Sequence, residues 1–263
     1  KGMSKKYEDL TFTDDFMFCK ILYTNPELCK QLLELILRKK IKDIRYLTTQ
    51  NAIDITSDGK GIRLDVYLEG DNKVYDIEMQ ATGNSNLPKR TRYYQGMIDL
   101  NLIEKGADYS ELKETFIIFV CLHDPFKTNK CVYTFENKCN EVEGLCLGDE
   151  STKIFLNASG HKENLPEELR NLLDYLSGKE PKGRLATEIA RKVKLAVKHE
   201  EWRTEYMTLL QRDREKFAEG MAQGSILAIQ KLLKKKMDND FILSLGYTQE
   251  EINEAEKQLL TTV

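Results

Sequence analysis

The chain has 263 residues with 40 basic and 43 acidic side chains, and its mean hydropathy is −0.51. This composition predicts a globular protein of one large or two small domains and excludes a disordered or collagen-like chain. The longest apolar run, residues 116–122, is far shorter than the roughly 18 residues of a membrane span. No charged-then-apolar signal segment opens the sequence, so we expect a cytoplasmic protein without membrane contact. Because the net charge is only −3, any nucleic-acid contact depends on local positive charge.

The six cysteines are too sparse for a disulfide scaffold in a chain of this length, and we interpret them as free thiols. Cys131, Cys139 and Cys146 come closest to a cluster. No pair among them has the short spacing of a zinc knuckle, and His161 does not supply it. A structural zinc site is therefore not predicted.

Two helices are predicted at the start of the chain. Thr13 or Asp14 can cap the first helix, and Asn25 followed by Pro26 marks the start of a second that runs to Leu37. A poorly delimited strand is expected within residues 39–58.

Two segments with strict alternation, 62–68 and 74–80, predict neighbouring strands. If Asp71 and Asn72 form a two-residue turn, the strands make an antiparallel hairpin in which paired residue numbers sum to 143. Asp65 then lies directly across from Glu78, and position 63 lies across from position 80. The polar faces of the two strands therefore coincide.

The remaining elements follow from periodicity and capping signals. We expect a helix over 86–105, a strand buried on both faces over 116–122, and short strands over 131–135 and 152–157. A further helix opens at 165–169, and a charged helical stretch over 184–216 follows, which Gly220 and Gly224 break. Two more helices are expected around 226–237 and 241–245. Thr248 and Glu251 form a capping box for a last helix. We divide the chain into an α/β core, 1–160, and a helical C-terminal extension, 161–263. The acidic end of the extension suits a DNA groove poorly, so we interpret it as a packing or oligomerisation appendage.

The paired carboxylates of Asp65 and Glu78 are the chemically sharpest feature. Two carboxylates with β-carbons about 5 Å apart repel when both are ionised and dry, which favours protonation of one or capture of a cation. Mg²⁺ or Mn²⁺ suits such ligands, and the carbonyl of Met79 can add a third oxygen. In the alternative interpretation, which alternation alone favours, these side chains form the solvated outer face of an ordinary sheet.

Positive charge gathers just after the hairpin, where Lys89, Arg90 and Arg92 open the predicted helix. Guanidinium groups match phosphate geometry, and with the neighbouring Tyr94 these residues form a plausible DNA-binding patch. Because the two arginines stand two residues apart on a helix, we expect only one to face the carboxylates and favour Arg92. The alternative is that both are solvated surface residues.

The order of elements, with Asp65 on the second strand and Glu-Met-Gln at 78–80 on the third, resembles the core of the PD-(D/E)xK nucleases. More specifically, the chain is similar to their recombination-promoting nuclease or transposase family. The segments that carry the resemblance are 13–18, 62–67, 77–80, 90–94, 106–109 leading into 116–119, 232–237 and 248–252.

This resemblance implies a restriction-endonuclease-like α/β core, in which helix, three strands, helix and strand build a mixed sheet flanked by helices. It implies that Asp65 and Glu78 are metal ligands and that Asp15 of the first helix can reach the metal. The alternative for Asp15 is a first-turn charge that stabilises the helix N-terminus. Gln80 takes the catalytic position where the superfamily usually has a lysine; it can hydrogen-bond a water but supplies no positive charge.

We therefore expect a Mg²⁺- or Mn²⁺-dependent DNA endonuclease that hydrolyses backbone phosphodiester bonds in support of recombination or transposition. The expected partners are DNA, a divalent metal and a second copy bound through the C-terminal helices. Two alternatives remain open. One is a weak or inactive nuclease-fold protein that binds DNA or helps assembly, with Gln80 as the mark of lost chemistry. The other is a self-associating interaction module with no DNA role.

Overall fold

The computed structural model describes residues 5–47, 52–53, 62–83 and 86–261. Within these residues the helices are α1 Asp15–Thr24, α2 Pro26–Leu37, α3 Leu87–Leu102, α4 Glu167–Leu176, α5 Arg184–Ala196, α6 Glu200–Lys234, α7 Asn239–Ser244 and α8 Gln249–Thr261. The strands are β1 Ile44–Tyr46, β2 Ala52–Ile53, β3 Ile62–Arg63, β4 Val66–Gly70, β5 Lys73–Gln80, β6 Thr115–Cys121, β7 Val132–Phe135 and β8 Ser151–Asn157. Across this described part of the chain, none of the helices has both the length and the apolar composition of a membrane span.

The structure divides into two compact units, one covering Lys5–His199 and the other containing the described residues from Glu200 onwards. The first unit includes α4 and α5 because both helices bury apolar stripes there, with α5 packed against α1, α2 and α4. The Tyr7 hydroxyl also donates a hydrogen bond to the carbonyl of Ala196, at 2.6 Å. The compact unit continues to His199, beyond the predicted boundary between residues 160 and 161. That domain boundary remains a prediction from the sequence.

A mixed sheet forms the centre of the first unit, and its described strands run in the order β1–β4–β5–β6–β8–β7. β4 and β5 are antiparallel, whereas β5, β6 and β8 run parallel to one another, and β7 returns antiparallel to β8. Every residue of β6 is buried, which confirms the prediction of a strand covered on both faces. The mixed sheet flanked by helices confirms the expected α/β class.

The β4–β5 hairpin confirms the predicted register. Val66 pairs with Ile77, and Gly70 pairs with Lys73 next to the turn. Asp71 and Asn72 have φ angles of 51° and 59°, the left-handed pair that a type I′ turn requires and that Asp and Asn tolerate. Gly70 is required for a different reason, since a Cβ there would lie 2.8 Å from the carbonyl oxygen of Asp43.

The prediction of one continuous strand over 62–68 is wrong. β3 ends at Arg63, which pairs with Ala52 in a separate two-stranded sheet rather than with Gln80. The chain leaves the ladder at Leu64 and Asp65 and re-enters it at Val66. Alternation cannot reveal this interruption because Leu64 stays buried on either path.

α3 covers one face of the sheet. Leu87, Tyr94 and Ile98 recur on one side of the helix and join a core with Tyr67 and Phe119 from the strands. The helix ends at Leu102 rather than at the predicted Lys105. α3 therefore lies over the face of β5 that also carries Asp76, Glu78 and Gln80.

The second unit is helical, and its core is formed by isoleucines of α6, α7 and α8 together with Ala255. The predicted break at Gly220 and Gly224 is wrong, because α6 runs through both positions. A glycine costs a helix about 1 kcal/mol but does not stop it. The break instead lies between Ala196 and Glu200, inside the predicted stretch. The capping box is confirmed, since Thr248 and Glu251 exchange backbone-to-side-chain hydrogen bonds.

Candidate active site

Asp65 and Glu78 meet at the open end of the hairpin. Each carboxylate accepts a backbone hydrogen bond from the opposite strand, from Asp65 N to Glu78 Oε1 at 2.9 Å and from Met79 N to Asp65 Oδ2 at 3.0 Å. Val66 and Ile77, the last backbone pair of the hairpin, lie next to Asp65 and Glu78, and the two hydrogen bonds bring these carboxylates together one position beyond the paired strands. Asp65 lies outside the paired strands, and its backbone N–H donates to the Glu78 side chain rather than to a backbone carbonyl of β5.

The face of β5 that carries Asp76, Glu78 and Gln80 is not exposed to solvent. Asp76 and Glu78 are fully buried beneath α3, and Gln80 is 8% exposed. The interpretation of this face as the wet side of an ordinary sheet is therefore wrong, because the apolar side of α3 covers it. Burial raises the pKa of Glu78 to about 8, helped by the nearby Asp65 carboxylate and opposed by Arg90.

Asp76 is a part of this cluster that sequence reasoning did not include. It is completely buried, and neither of its carboxylate oxygens accepts a hydrogen bond from the described residues. Burial raises the pKa of Asp76 well above its usual range, and the charges of Glu78 and Asp65 raise it further. The available signal was its place two residues before Glu78 on the same strand face.

Among the described residues, Arg90 is a cationic side chain in contact with Glu78. Its Nη2 donates to Glu78 Oε2 at 2.5 Å and its Nη1 donates to Gln80 Oε1 at 3.2 Å. Its Nε donates to the Tyr94 hydroxyl at 2.8 Å. The Gln80 amide nitrogen donates in turn to the Thr82 carbonyl oxygen at 2.6 Å. Glu78 and Gln80 are thus joined by one guanidinium.

The preference for Arg92 as the arginine that faces the carboxylates is wrong. Residues two apart on a helix point about 200° apart, and Arg92 is exposed on the other flank of α3. There it lines a cavity of about 1020 Å³ between α3, the β7–β8 edge and residues 109–113. The stripe of Leu87, Tyr94 and Ile98 already carried the correct signal, because Arg90 lies beside it and Arg92 does not.

Lys89 and Tyr94, the other two residues of the predicted DNA-binding patch, differ in their exposure to solvent. Lys89 is exposed in the first turn of α3, as a backbone-contacting residue requires. Tyr94 is buried, with its ring against Phe119 and its hydroxyl on Arg90. The buried position of Tyr94 argues against a direct contact with DNA, and its hydroxyl instead accepts a hydrogen bond from Arg90.

Met79 turns its backbone toward the hairpin carboxylates. Val74 N donates to the Glu114 carbonyl and Leu122 N donates to the Gln80 carbonyl, so even-numbered residues of β5 direct their backbone groups at β6. Backbone groups alternate in direction along a strand. The carbonyl of Met79 consequently points to the side of β4, where Asp65 lies.

These groups suit a hard divalent cation. Carboxylate oxygens of Asp65 and Glu78 and the carbonyl of Met79 are the ligand type that Mg²⁺ and Mn²⁺ prefer. When all are ionised, the carboxylates of Asp65, Asp76 and Glu78 exceed the charge of Arg90 by two units, and a divalent cation balances that excess. Within the described residues, however, no three His, Cys, Asp or Glu side chains form a preassembled metal site. Asp15 is exposed in the first turn of α1, and its contact with a metal stays a prediction.

A mixed sheet flanked by helices, with paired acidic residues at the end of a central hairpin, defines a restriction-endonuclease-like nuclease fold. The family model described as PD-(D/E)XK nuclease family transposase matches residues 12–221, and the chain belongs to this family. The resemblance inferred from the sequence is thereby confirmed. No curated protein and no solved structure matches the chain.

Proposed function

We propose that the protein is a divalent-metal-dependent DNA endonuclease. The observation that carries this proposal is the convergence of Asp65 and Glu78, whose carboxylates each accept a backbone hydrogen bond from across the hairpin. Ionising buried carboxylates this close together costs free energy unless a cation compensates their charge. This cost favours a bound metal during function. Support of recombination or transposition, and a cytoplasmic location, belong to the same proposal.

Asp65, Glu78 and the Met79 carbonyl would hold Mg²⁺ or Mn²⁺, which polarises a phosphoryl oxygen and lowers the pKa of a bound water. The chain itself contributes orientation. The backbone N–H groups of Asp65 and Met79 lock the two carboxylates, and the Gln80 amide fixes the adjacent strand end. DNA would approach the first two turns of α3, where Lys89 and Arg92 are exposed and can contact its phosphates.

The test is nicking of supercoiled plasmid DNA. We expect the wild-type protein to cleave with Mg²⁺ or Mn²⁺ and not with chelator, and Asp65→Asn to lose at least about 100-fold in rate. The amide oxygen can still accept the hydrogen bond of Met79, so the fold is preserved while a charge is lost. Asp213→Asn, an exposed position on α6, is the matched control. Equal nicking by wild type and Asp65→Asn would refute the proposed site.

A DNA-binding protein without nuclease activity is the second candidate. The specific observation in its favour is that both polar atoms of the Gln80 amide are engaged, with Arg90 and with Thr82. A side chain held in this way is less available to orient a water. DNA binding without metal-dependent cleavage, together with no heat of Mg²⁺ binding in calorimetry, would select this candidate.

Self-association through α6 is supported by an exposed apolar stripe. Met207, Phe217 and Met221 are each more than half exposed, and with Leu210 they fall on one side of the helix. We expect the protein to be a dimer by light scattering and Met221→Glu to shift it toward monomer, because a charge on this stripe opposes its burial. Lys216→Glu, also on α6, is the control for charge alone. A monomeric wild type would exclude this contact.

A further inference from the structure

The proposed nuclease site contains a positively charged side chain, Arg90, which belongs to α3 rather than to the strands. Hydrolysis of a phosphodiester builds negative charge on the phosphoryl oxygens, yet the strand residues at this site are acidic or neutral. Arg90 of α3 reaches across and donates hydrogen bonds to both Glu78 and Gln80. The positive charge of Arg90 thus lies within hydrogen-bond distance of Gln80, a strand side chain that has no charge of its own.

Arg90 is held in a fixed geometry. Its Cζ lies 4.9 Å from the centre of the Tyr94 ring and 5.1 Å from that of Phe119. Two aromatic contacts and the hydrogen bond to the Tyr94 hydroxyl restrain the guanidinium before any substrate arrives. Preorganisation of this kind lowers the cost of stabilising a developing charge.

The guanidinium has hydrogen-bonding capacity left over. It carries five N–H groups, and within the described residues three hydrogen bonds are made, one from each nitrogen. The side chain is 32% exposed, whereas that of Glu78 is only 1% exposed. The two remaining N–H groups, one on each terminal nitrogen, are therefore available on a side chain that solvent and substrate can reach.

We propose that Arg90 supplies the positive charge of this nuclease site by donating its two remaining N–H groups to a non-bridging oxygen of the scissile phosphate. The inference rests on the proposed function. No covalent bond to Arg90 forms or breaks, and it keeps its proton throughout. Arg92 and Lys89 do not fill this role because they are exposed on other faces of α3, where we expect them to contact neighbouring phosphates instead.

The experiment measures nicking by Arg90→Ala, Arg90→Lys, Gln80→Lys and the double variant Arg90→Ala/Gln80→Lys. Arg90→Ala is expected to lower kcat by at least about 100-fold with a smaller change in KM. In the double variant, the lysine introduced at position 80 restores a cation beside Glu78, and we expect it to recover at least about tenfold of that loss. Arg191→Ala, which breaks the surface pair with Glu188, is the matched control.

Calorimetry with Ca²⁺ separates charge supply from a structural role. Arg90 competes with a cation for Glu78 Oε2, so Arg90→Ala is expected to bind Ca²⁺ roughly twofold to fivefold more tightly while it loses cleavage. A merely disordered site would bind Ca²⁺ more weakly. If Arg90→Ala fails to fold, Arg90→Lys and Arg90→Gln are compared in its place. We expect Arg90→Lys to retain more activity than Arg90→Gln, because lysine keeps the positive charge.

Each outcome decides the inference. Unchanged kcat in Arg90→Ala, or loss of cleavage with weakened Ca²⁺ binding and no recovery by the second substitution, would overturn the role of Arg90 and leave the nuclease assignment intact. Absence of cleavage by the wild-type protein would overturn the proposed function, and this inference with it.

Discussion

Replacing Glu78 by glutamine is expected to lower the rate of metal-dependent DNA nicking by at least about 100-fold while the protein stays folded. The Glu78 carboxylate accepts hydrogen bonds on both of its oxygens, from the backbone N–H of Asp65 on one and from Arg90 on the other. Glutamine keeps an oxygen for one of these hydrogen bonds but removes the negative charge that a cation needs. Arg90 is part-exposed and can turn toward solvent, which limits the loss of stability.

The measurement is nicking of supercoiled DNA together with thermal denaturation followed by circular dichroism. Glu114→Gln is the control, because Glu114 pairs with Lys73 at the opposite end of the β5–β6 strand pair. We expect this variant to cleave like the wild type. A Glu78→Gln protein that cleaves at the wild-type rate and with the same Mg²⁺ dependence would show that Glu78 is not a metal ligand.

Replacing Phe119 by alanine is expected to destabilise the protein by about 3–5 kcal/mol and to lower cleavage as well. Phe119 is fully buried on β6, where its ring stacks on Phe155 at 5.6 Å and contacts Tyr94 at 6.3 Å. It also underlies the guanidinium of Arg90. The cavity left by alanine therefore removes core packing and the platform of Arg90 in one step.

Phe116→Ala is the matched control for that variant. Phe116 lies on the opposite face of the same strand, stacked on Tyr75 at 5.4 Å and away from the carboxylates. We expect urea denaturation to show a loss of stability in both variants, and nicking measured well below either unfolding transition to fall only in Phe119→Ala. Equal cleavage by the two variants would show that Phe119 does not position Arg90.

Local chemistry explains why the hairpin was predictable. Asp71 and Asn72 tolerate the left-handed conformation that a two-residue turn needs, and the turn sets the register of everything behind it. Extended by one position beyond Val66 and Ile77, that register places Asp65 beside Glu78, and it requires no knowledge of the rest of the fold. The departure of the chain at Leu64 was not predictable, because it depends on pairing with β2, a partner that alternation does not specify.

Helix rotation separates the correct arginine from the wrong one. Arg90 and Arg92 are the same residue type in the same turn, and their spacing alone shows only that they point apart. The rotation of α3 is set by the packing of Leu87, Tyr94 and Ile98 on the sheet. That apolar stripe favours Arg90 as the arginine that faces the sheet. α6 continues through Gly220 and Gly224 because glycine weakens a helix without ending it.

The charge balance, the α/β class, the hairpin and the proximity of two carboxylates all follow from local features of the sequence, because turn preference and side-chain alternation act over a few residues. The burial of Asp76 and Glu78, and the contact of Arg90 with both Glu78 and Gln80, arise from packing between distant segments. Burial and charge compensation depend on which helix covers a strand face and on the rotation of that helix. Near-neutral net charge thus conceals an acidic cluster and the arginine of α3 that contacts it.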